Sequence, residues 1–256
     1  MNTLVICRKE LNSYFASPIA YGLMAFFAAI AGYFFYVATA IFVSRGMEAQ
    51  MMQQPMPMDV NDWVVRPVLM NVSVIGLFII PMITMRLFAE EKRQGTIELL
   101  ATSPITDLQI VLGKFLAAVA LYAVMLCASL LNVALLWRYA TVSPDWRPVV
   151  TGTVGLLLLG SCFIALGLFV STLTRNQIIA GFLSFCLFLG VWTLGWADDP
   201  MAGPVMKVVA YLGVTNHLED LIKGVLDLKD LVFYMSFIGF SLFLAHQSVA
   251  SQRWRV

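Results

Sequence analysis

Six runs without Asp, Glu, Lys or Arg set the pattern of the chain: residues 18–44, 67–85, 115–137, 148–174, 176–197 and 231–252. The shortest holds 19 residues, about 28 Å of helix against a hydrocarbon core of about 30 Å. Barrel strands alternate and run for about ten residues, so these runs do not describe a barrel. They predict an all-α, polytopic membrane protein. A single transmembrane domain over residues 1–256 carries six helices, at about 18–44, 67–86, 108–137, 149–174, 177–197 and 231–252.

The polar segment between the second and third runs, residues 86–114, is patterned rather than loop-like. Glu90, Glu91, Lys92 and Arg93 form a mixed-charge turn, and Gly95 can end a helix by adopting positive φ. Thr96 is placed to cap a short helix over 96–103, in which Ile97, Leu99 and Leu100 supply apolar contacts. Pro104 stops that helix, because the residue before a proline avoids the α region. Thr106 and Gln109 form a capping box that starts the third span. A short capped helix between two spans reads as a handle for another protein.

Residues 1–17 read as an interfacial helix, with Leu4, Cys7, Leu11, Tyr14 and Phe15 on one face and Arg8, Lys9, Glu10 and Asn12 on the other. Ser17-Pro18 turns the chain into the first span, where Ala28 and Gly32 would let another helix approach closely. The run stays uncharged to Ser44, so Ala29-Ile-Ala31 reads as part of an uncleaved span and not as a signal-peptide cleavage site. Residues 44–66 read as an outer loop rich in Met47, Met51, Met52, Met56 and Met58. Thioethers are soft ligands for Cu(I), but no His or Cys accompanies them, and no metal is expected there. Pro81 should kink the second span near its end. Asn132 in the third span and His246 in the sixth are expected to make hydrogen bonds within the bundle.

Between the fifth and sixth spans the pattern changes again. Residues 205–212 are apolar. Residues 216–229 place Leu218, Leu221, Ile222, Val225 and Leu226 on one stripe, with Glu219, Asp220, Lys223 and Asp227 opposite. Asn216 with Glu219 looks like a helix cap. These pieces are too short or too charged to span, and should lie on or dip into the outer leaflet.

Charge and composition sharpen the class. The chain is 60% hydrophobic and 12% charged, where soluble domains carry about 25% charged residues. With both termini inside, the inner segments hold nine basic and five acidic residues, and the outer ones seven and ten. Basic residues set orientation, so both termini are expected in the cytoplasm. Cys7, Cys127, Cys162 and Cys186 avoid the outer loops, so no disulfide framework is implied.

The sequence has no G-x-x-x-x-G-K-[ST] phosphate loop and no H-E-x-x-H. Ser161 lacks a G-x-S-x-G setting, and His217 and His246 are the only histidines. No convergent polar cluster suggests an intramembrane or lipid-modifying enzyme. The uncharged runs argue against ion-coupled transport. Energy is expected to arrive from another chain.

Two motifs carry a family resemblance. The first is Phe88-Ala89-Glu90-Glu91-Lys92 with Gly95-Thr96-Ile97-Glu98-Leu99-Leu100, Pro104 and Gly113-Lys114. The second is Gly224-Val225-Leu226-Asp227-Leu228-Lys229-Asp230 with Tyr234 and Arg253-Trp254. Together with the six-span layout, they resemble the permease subunits of type 2 ABC exporters, in the branch of gliding-motility and copper-site-assembly permeases.

The resemblance implies a non-catalytic permease of a bacterial inner membrane, bound to two cytoplasmic ABC ATPase subunits and to a second permease copy or a related permease. It would bind no cofactor itself, with ATP and Mg on the partner. Residues 96–103 would be the coupling helix, with Glu98, Glu90 and Glu91 as polar contacts. The segment between spans five and six would form outer gate helices, bearing His217, Glu219, Gly224, Asp227 and Asp230. A periplasmic or surface accessory protein is a further implied partner, and nucleic acid is not. The alternative is a mechanical transmitter that passes ATPase motion to an outer partner without moving solute.

Overall fold

The computed structural model describes residues 2–52, 59–96, 105–140, 144–197 and 203–253. Every element among them is helical. An interfacial helix, α1 (Asn2–Ala16), leads into α2 (Pro18–Met51). A π turn (Asn61–Val65) precedes α3 (Arg66–Thr84), and α4 (Ala89–Gln94) follows it. Next come α5 (Asp107–Tyr139), α6 (Trp146–Leu173) and α7 (Gln177–Thr193), which ends in a 3₁₀ turn (Leu194–Ala197). Two short helices, α8 (Pro204–Tyr211) and α9 (Val214–Ile222), lead to α10 (Leu228–Arg253).

Six helices are long and apolar enough to cross a membrane, as the uncharged runs predict. They are not equivalent. Two-thirds of the apolar window is buried in the spans built on α3 and α6, against 17% to 28% in the other four. Hence α3 and α6 form the core, and α2, α5, α7 and α10 surround it. The core includes Leu69, Ile79 and Ile80 of α3, Leu156 and Phe163 of α6, and Tyr122 of α5. Lipid is as apolar as leucine, so such helices gain from close van der Waals packing more than from burial itself. Gly160 shows this, since a Cβ there would run into the Tyr122 ring.

The Ser248 hydroxyl accepts a hydrogen bond from Thr172 Oγ1 at 2.8 Å, which sets the far part of α10 beside the end of α6. Hydrogen bonds from Phe88 and Ala89 to Ser171 place α4 at that same end. The α1 helix joins them there through Lys114. Helices α8 and α9 occupy the opposite end, with α9 against the first turns of α6.

Several local expectations change. The loop expected from residue 44 is helix as far as Met51. With 34 residues, α2 is about 51 Å long and outreaches a ~30 Å core. Met47 and Met51 ride on this extension and are exposed; Met56 and Met58 lie outside the described residues. A Cβ at Gly32 would meet nothing within 4 Å, so among the described residues no helix packs against that position. The α3 helix ends at Thr84, within one turn of Pro81. The Thr106–Gln109 capping box is present in both directions.

In α9 the cap position is Gly213, not Asn216, whose side-chain amide instead donates to the Ala210 carbonyl at 3.2 Å. The helix stops at Ile222, which leaves Val225 and Leu226 exposed beyond it. Asn132 and His246 are both half-buried, and neither makes a hydrogen bond among the described residues.

The packing yields a direct test. Gly160→Leu should lower the thermal stability of the detergent-purified protein by about 1–3 kcal/mol through overpacking. Gly32→Leu should change it by no more than about 0.5 kcal/mol. Equal midpoints for the two variants would contradict the close α5–α6 approach.

Candidate functional site

Two polar clusters lie at opposite ends of the bundle. The first is built around Lys114. This residue sits two turns into α5 and is 2% exposed. Its ammonium lies 3.1 Å from Glu10 Oε1 of α1 and 2.8 Å from Glu91 Oε1 of α4. It also stands over the Phe88 ring, 5.2 Å from the centroid, a cation–π contact that adds to the two charge-assisted bonds. One cation therefore joins α4 and α5 to α1, which is remote from both in sequence.

Neighbouring geometry makes this junction tight. A Cβ at Gly113 would lie 2.7 Å from Ile6 Cγ2, so glycine allows α1 to rest directly on α5. Ile6 is buried there. Glu10 thus belongs to the inward face of α1, not to the solvated face expected from the periodicity, whereas Leu4 and Phe15 are exposed. A helix-wheel pattern counts Glu10 as polar and outward. It cannot show that a buried cation waits on a helix more than a hundred residues away.

The α4 helix is further fastened to α6. Backbone N–H groups need partners at a helix start. Those of Phe88 and Ala89 donate to Ser171 Oγ at 3.0 and 3.1 Å. Lys92 Nζ donates to the Thr172 carbonyl. At the other end of α4, Gly95 adopts φ +72° and closes the helix on the Glu91 carbonyl, as predicted. The amide of Thr96 donates to the same carbonyl at 3.1 Å, and so does its hydroxyl, at 3.4 Å. Glu90 accepts a 3.3 Å bond from Gln94. Glu91, expected to meet a partner protein, spends one carboxylate oxygen on Lys114 inside the chain. Ile97, Glu98, Leu99, Leu100 and Pro104 lie outside the described residues.

The second cluster joins α9 to α10. His217 Nδ1 lies 2.6 Å from Asp230 Oδ1, and its Nε2 lies 3.0 Å from the Tyr211 carbonyl oxygen. The imidazole is 5% exposed and the carboxyl 0%. Phe233 stacks on the ring at 4.0 Å between centroids, and Tyr211 meets it edge-on at 5.1 Å. The Tyr234 hydroxyl donates to the Val214 carbonyl at 2.8 Å, holding the first turn of α9. Cys162 Sγ of α6 donates to the Tyr234 carbonyl at 3.6 Å.

Of the five outer residues singled out from sequence, His217 and Asp230 meet and the other three stand apart. Glu219 is exposed and pairs with Lys223 at 3.5 Å. Gly224 turns the chain after α9 with φ +89°. Asp227 is half-buried, and the Lys229 backbone amide and ammonium hold its carboxyl below the usual carboxylate range.

Lys114 and Asp230 both correct the expectation that the spanning helices carry no buried charge. The uncharged runs stop one residue short of each, but the helices do not. Paired ionisable groups of this kind are costly to separate in a membrane.

Both clusters are testable through stability. Lys114→Ala leaves two carboxylates without their cation and should cost about 3–5 kcal/mol. Replacing Lys114, Glu10 and Glu91 together by Met or Leu should recover most of that loss. Asp230→Ala should likewise lower the thermal midpoint by removing the partner of a buried imidazole, at about 1–3 kcal/mol. Wild-type midpoints for Lys114→Ala or Asp230→Ala would contradict these pairings.

The comparison with known families agrees with this architecture. The description "ABC-2 family transporter protein" belongs to the family model that matches residues 4–244, nearly the whole chain. No curated protein matches the sequence closely enough to count as a relative. The match takes in both clusters and five complete spans, and the chain belongs to the ABC-2 family of transporter proteins.

Proposed function

We propose that this permease subunit couples to separate cytoplasmic ATPase subunits and exports a substrate across the inner membrane as a dimer. The single observation that carries the proposal is the anchoring of α4. This helix immediately precedes residues 96–103 and is fixed to α6 by Ser171 and Thr172, and to α1 and α5 by Lys114. A handle pulled or pushed by a partner needs such a root. Without it, the motion would be lost in the connecting chain.

The route onward follows α6. Its 28 residues span about 42 Å. At its far end, Gly155 lies against Leu218 and Leu221 of α9, where a Cβ would be 3.0 Å from both side chains. A displacement of α4 is thereby delivered to the helix that carries His217. ATP-driven closure of the partner dimer would bias the bundle between two packings, because the partner binds one of them better. ATP and Mg belong to that partner, and this chain supplies no hydrolytic group in the scheme. The Gly224–Asp230 motif with Tyr234 supports the gliding-motility and copper-site-assembly branch. Cytoplasmic termini accord with the excess of basic residues at the Lys114 end.

Leu99→Arg places a charge in the apolar face of the proposed coupling helix. In the reconstituted complex it should uncouple ATP hydrolysis from transport while the six-span bundle keeps its thermal midpoint. The measurement is ATPase rate and vesicle transport on the same preparation. Wild-type coupling in Leu99→Arg, with normal assembly, would count against residues 96–103 as the point where energy enters.

A further inference from the structure

Two adjoining cavities run along the join between α1, α2 and the end of α3. One, of about 220 Å³, is walled by Tyr14, Leu23, Met82, Ile83 and Leu121. The other, of about 520 Å³, is walled by Lys9, Glu91, Gln94, Thr96 and Lys114. They share Glu10, Ser13, Arg86 and Glu90, and so form a single cleft with an apolar end and a charged end. Its position sets its depth in the membrane. Ser17 caps the turn at which the interfacial helix becomes a span, and Arg86 lies just past the end of α3. The charged end is therefore level with lipid headgroups, and the apolar end with acyl chains.

The wall carries charges of both signs: Glu10 and Glu91 are paired with Lys114, whereas Arg86 and Glu90 are not paired with each other. Among the described residues, Arg86 has no carboxylate within ion-pair distance, and its Nε has no hydrogen-bond partner. Among the described residues, Glu90 likewise meets no cation and takes only the 3.3 Å bond from Gln94. Guanidinium groups bind phosphate oxygens in a planar, two-pronged geometry. A carboxylate three to four residues along the chain suits an ammonium with N–H donors.

We infer that this cleft binds a phosphatidylethanolamine-type lipid, with its phosphate on Arg86, its ammonium on Glu90 and an acyl chain against Leu23, Met82 and Leu121. A headgroup with net negative charge would gain the same phosphate contact but bring no cation to Glu90, which has no basic partner among the described residues, whereas Glu10 is already paired with Lys114. A choline headgroup has no N–H to give the Glu90 carboxylate. The inference needs only a membrane-embedded chain and is independent of the ATPase-coupled exporter reading.

Native mass spectrometry of the full-length protein, titrated with dioleoyl phosphatidylethanolamine, phosphatidylglycerol or phosphatidylcholine, tests it. Wild type should retain phosphatidylethanolamine best. Arg86→Gln should weaken that retention by about tenfold, the loss of one charge-assisted contact. Glu90→Gln should shrink the gap between phosphatidylethanolamine and phosphatidylglycerol. Met82→Trp fills the apolar end without touching a charge, and should also reduce retention if Arg86→Gln proves unstable. Equal or better retention of phosphatidylglycerol by wild type would overturn the inference. So would wild-type retention of phosphatidylethanolamine in Arg86→Gln or Met82→Trp.

Discussion

A single buried ammonium organises one end of this protein. Lys114 reaches Glu10 and Glu91, and through them α5 holds the interfacial helix and the short helix that follows α3. Burying three ionised groups is expensive, and the mutual attraction offsets that cost only when all three are in place. The arrangement therefore favours one docking of α1 and α4 and penalises others. Its consequence is mechanical: anything that moves α4 meets α1, α5 and α6 together, because Ser171 and Thr172 fasten the other side.

The two ends of the bundle are then linked by the most buried helices. With α3 and α6 forming the core, α6 touches the α4 root at one end and α9 at the other. The outer cluster is built in the same way as the inner one. His217 and Asp230 form a buried polar pair between two elements, and Tyr234 and Cys162 tie it back to the core. Close-packed interiors respond to displacement by switching between packings more than by bending. In the proposed coupling, α6 would be the lever between these two latches.

Much of this was legible in residue order. Run length alone predicts six spans, and Gly95, Thr106 and Gln109 mark helix ends that the structure reproduces, because caps and breakers act locally. What depends on long-range pairing was not legible. Glu10 reads as solvent-facing, Glu91 as partner-facing and Lys114 as a flanking charge, until the fold brings them within hydrogen-bond distance. His217 and Asp230 could be singled out individually, but not as a pair. Asn216 has the right chemistry for a cap, yet the helix begins earlier, at Val214, because buried Val214 and Leu218 belong to the face against α6. Local propensity lost there to packing.

The proposed coupling requires the helices at the Lys114 end to move as one body, and distance measurements test this most directly. Spin labels at exposed Leu4 of α1 and Arg93 of α4, read by pulsed electron paramagnetic resonance in the assembled complex, report their separation through the ATP cycle. One narrow distance distribution should persist with and without nucleotide, and should broaden in Lys114→Ala. A nucleotide-dependent separation of the two labels, or an unchanged narrow distribution in Lys114→Ala, would contradict the account.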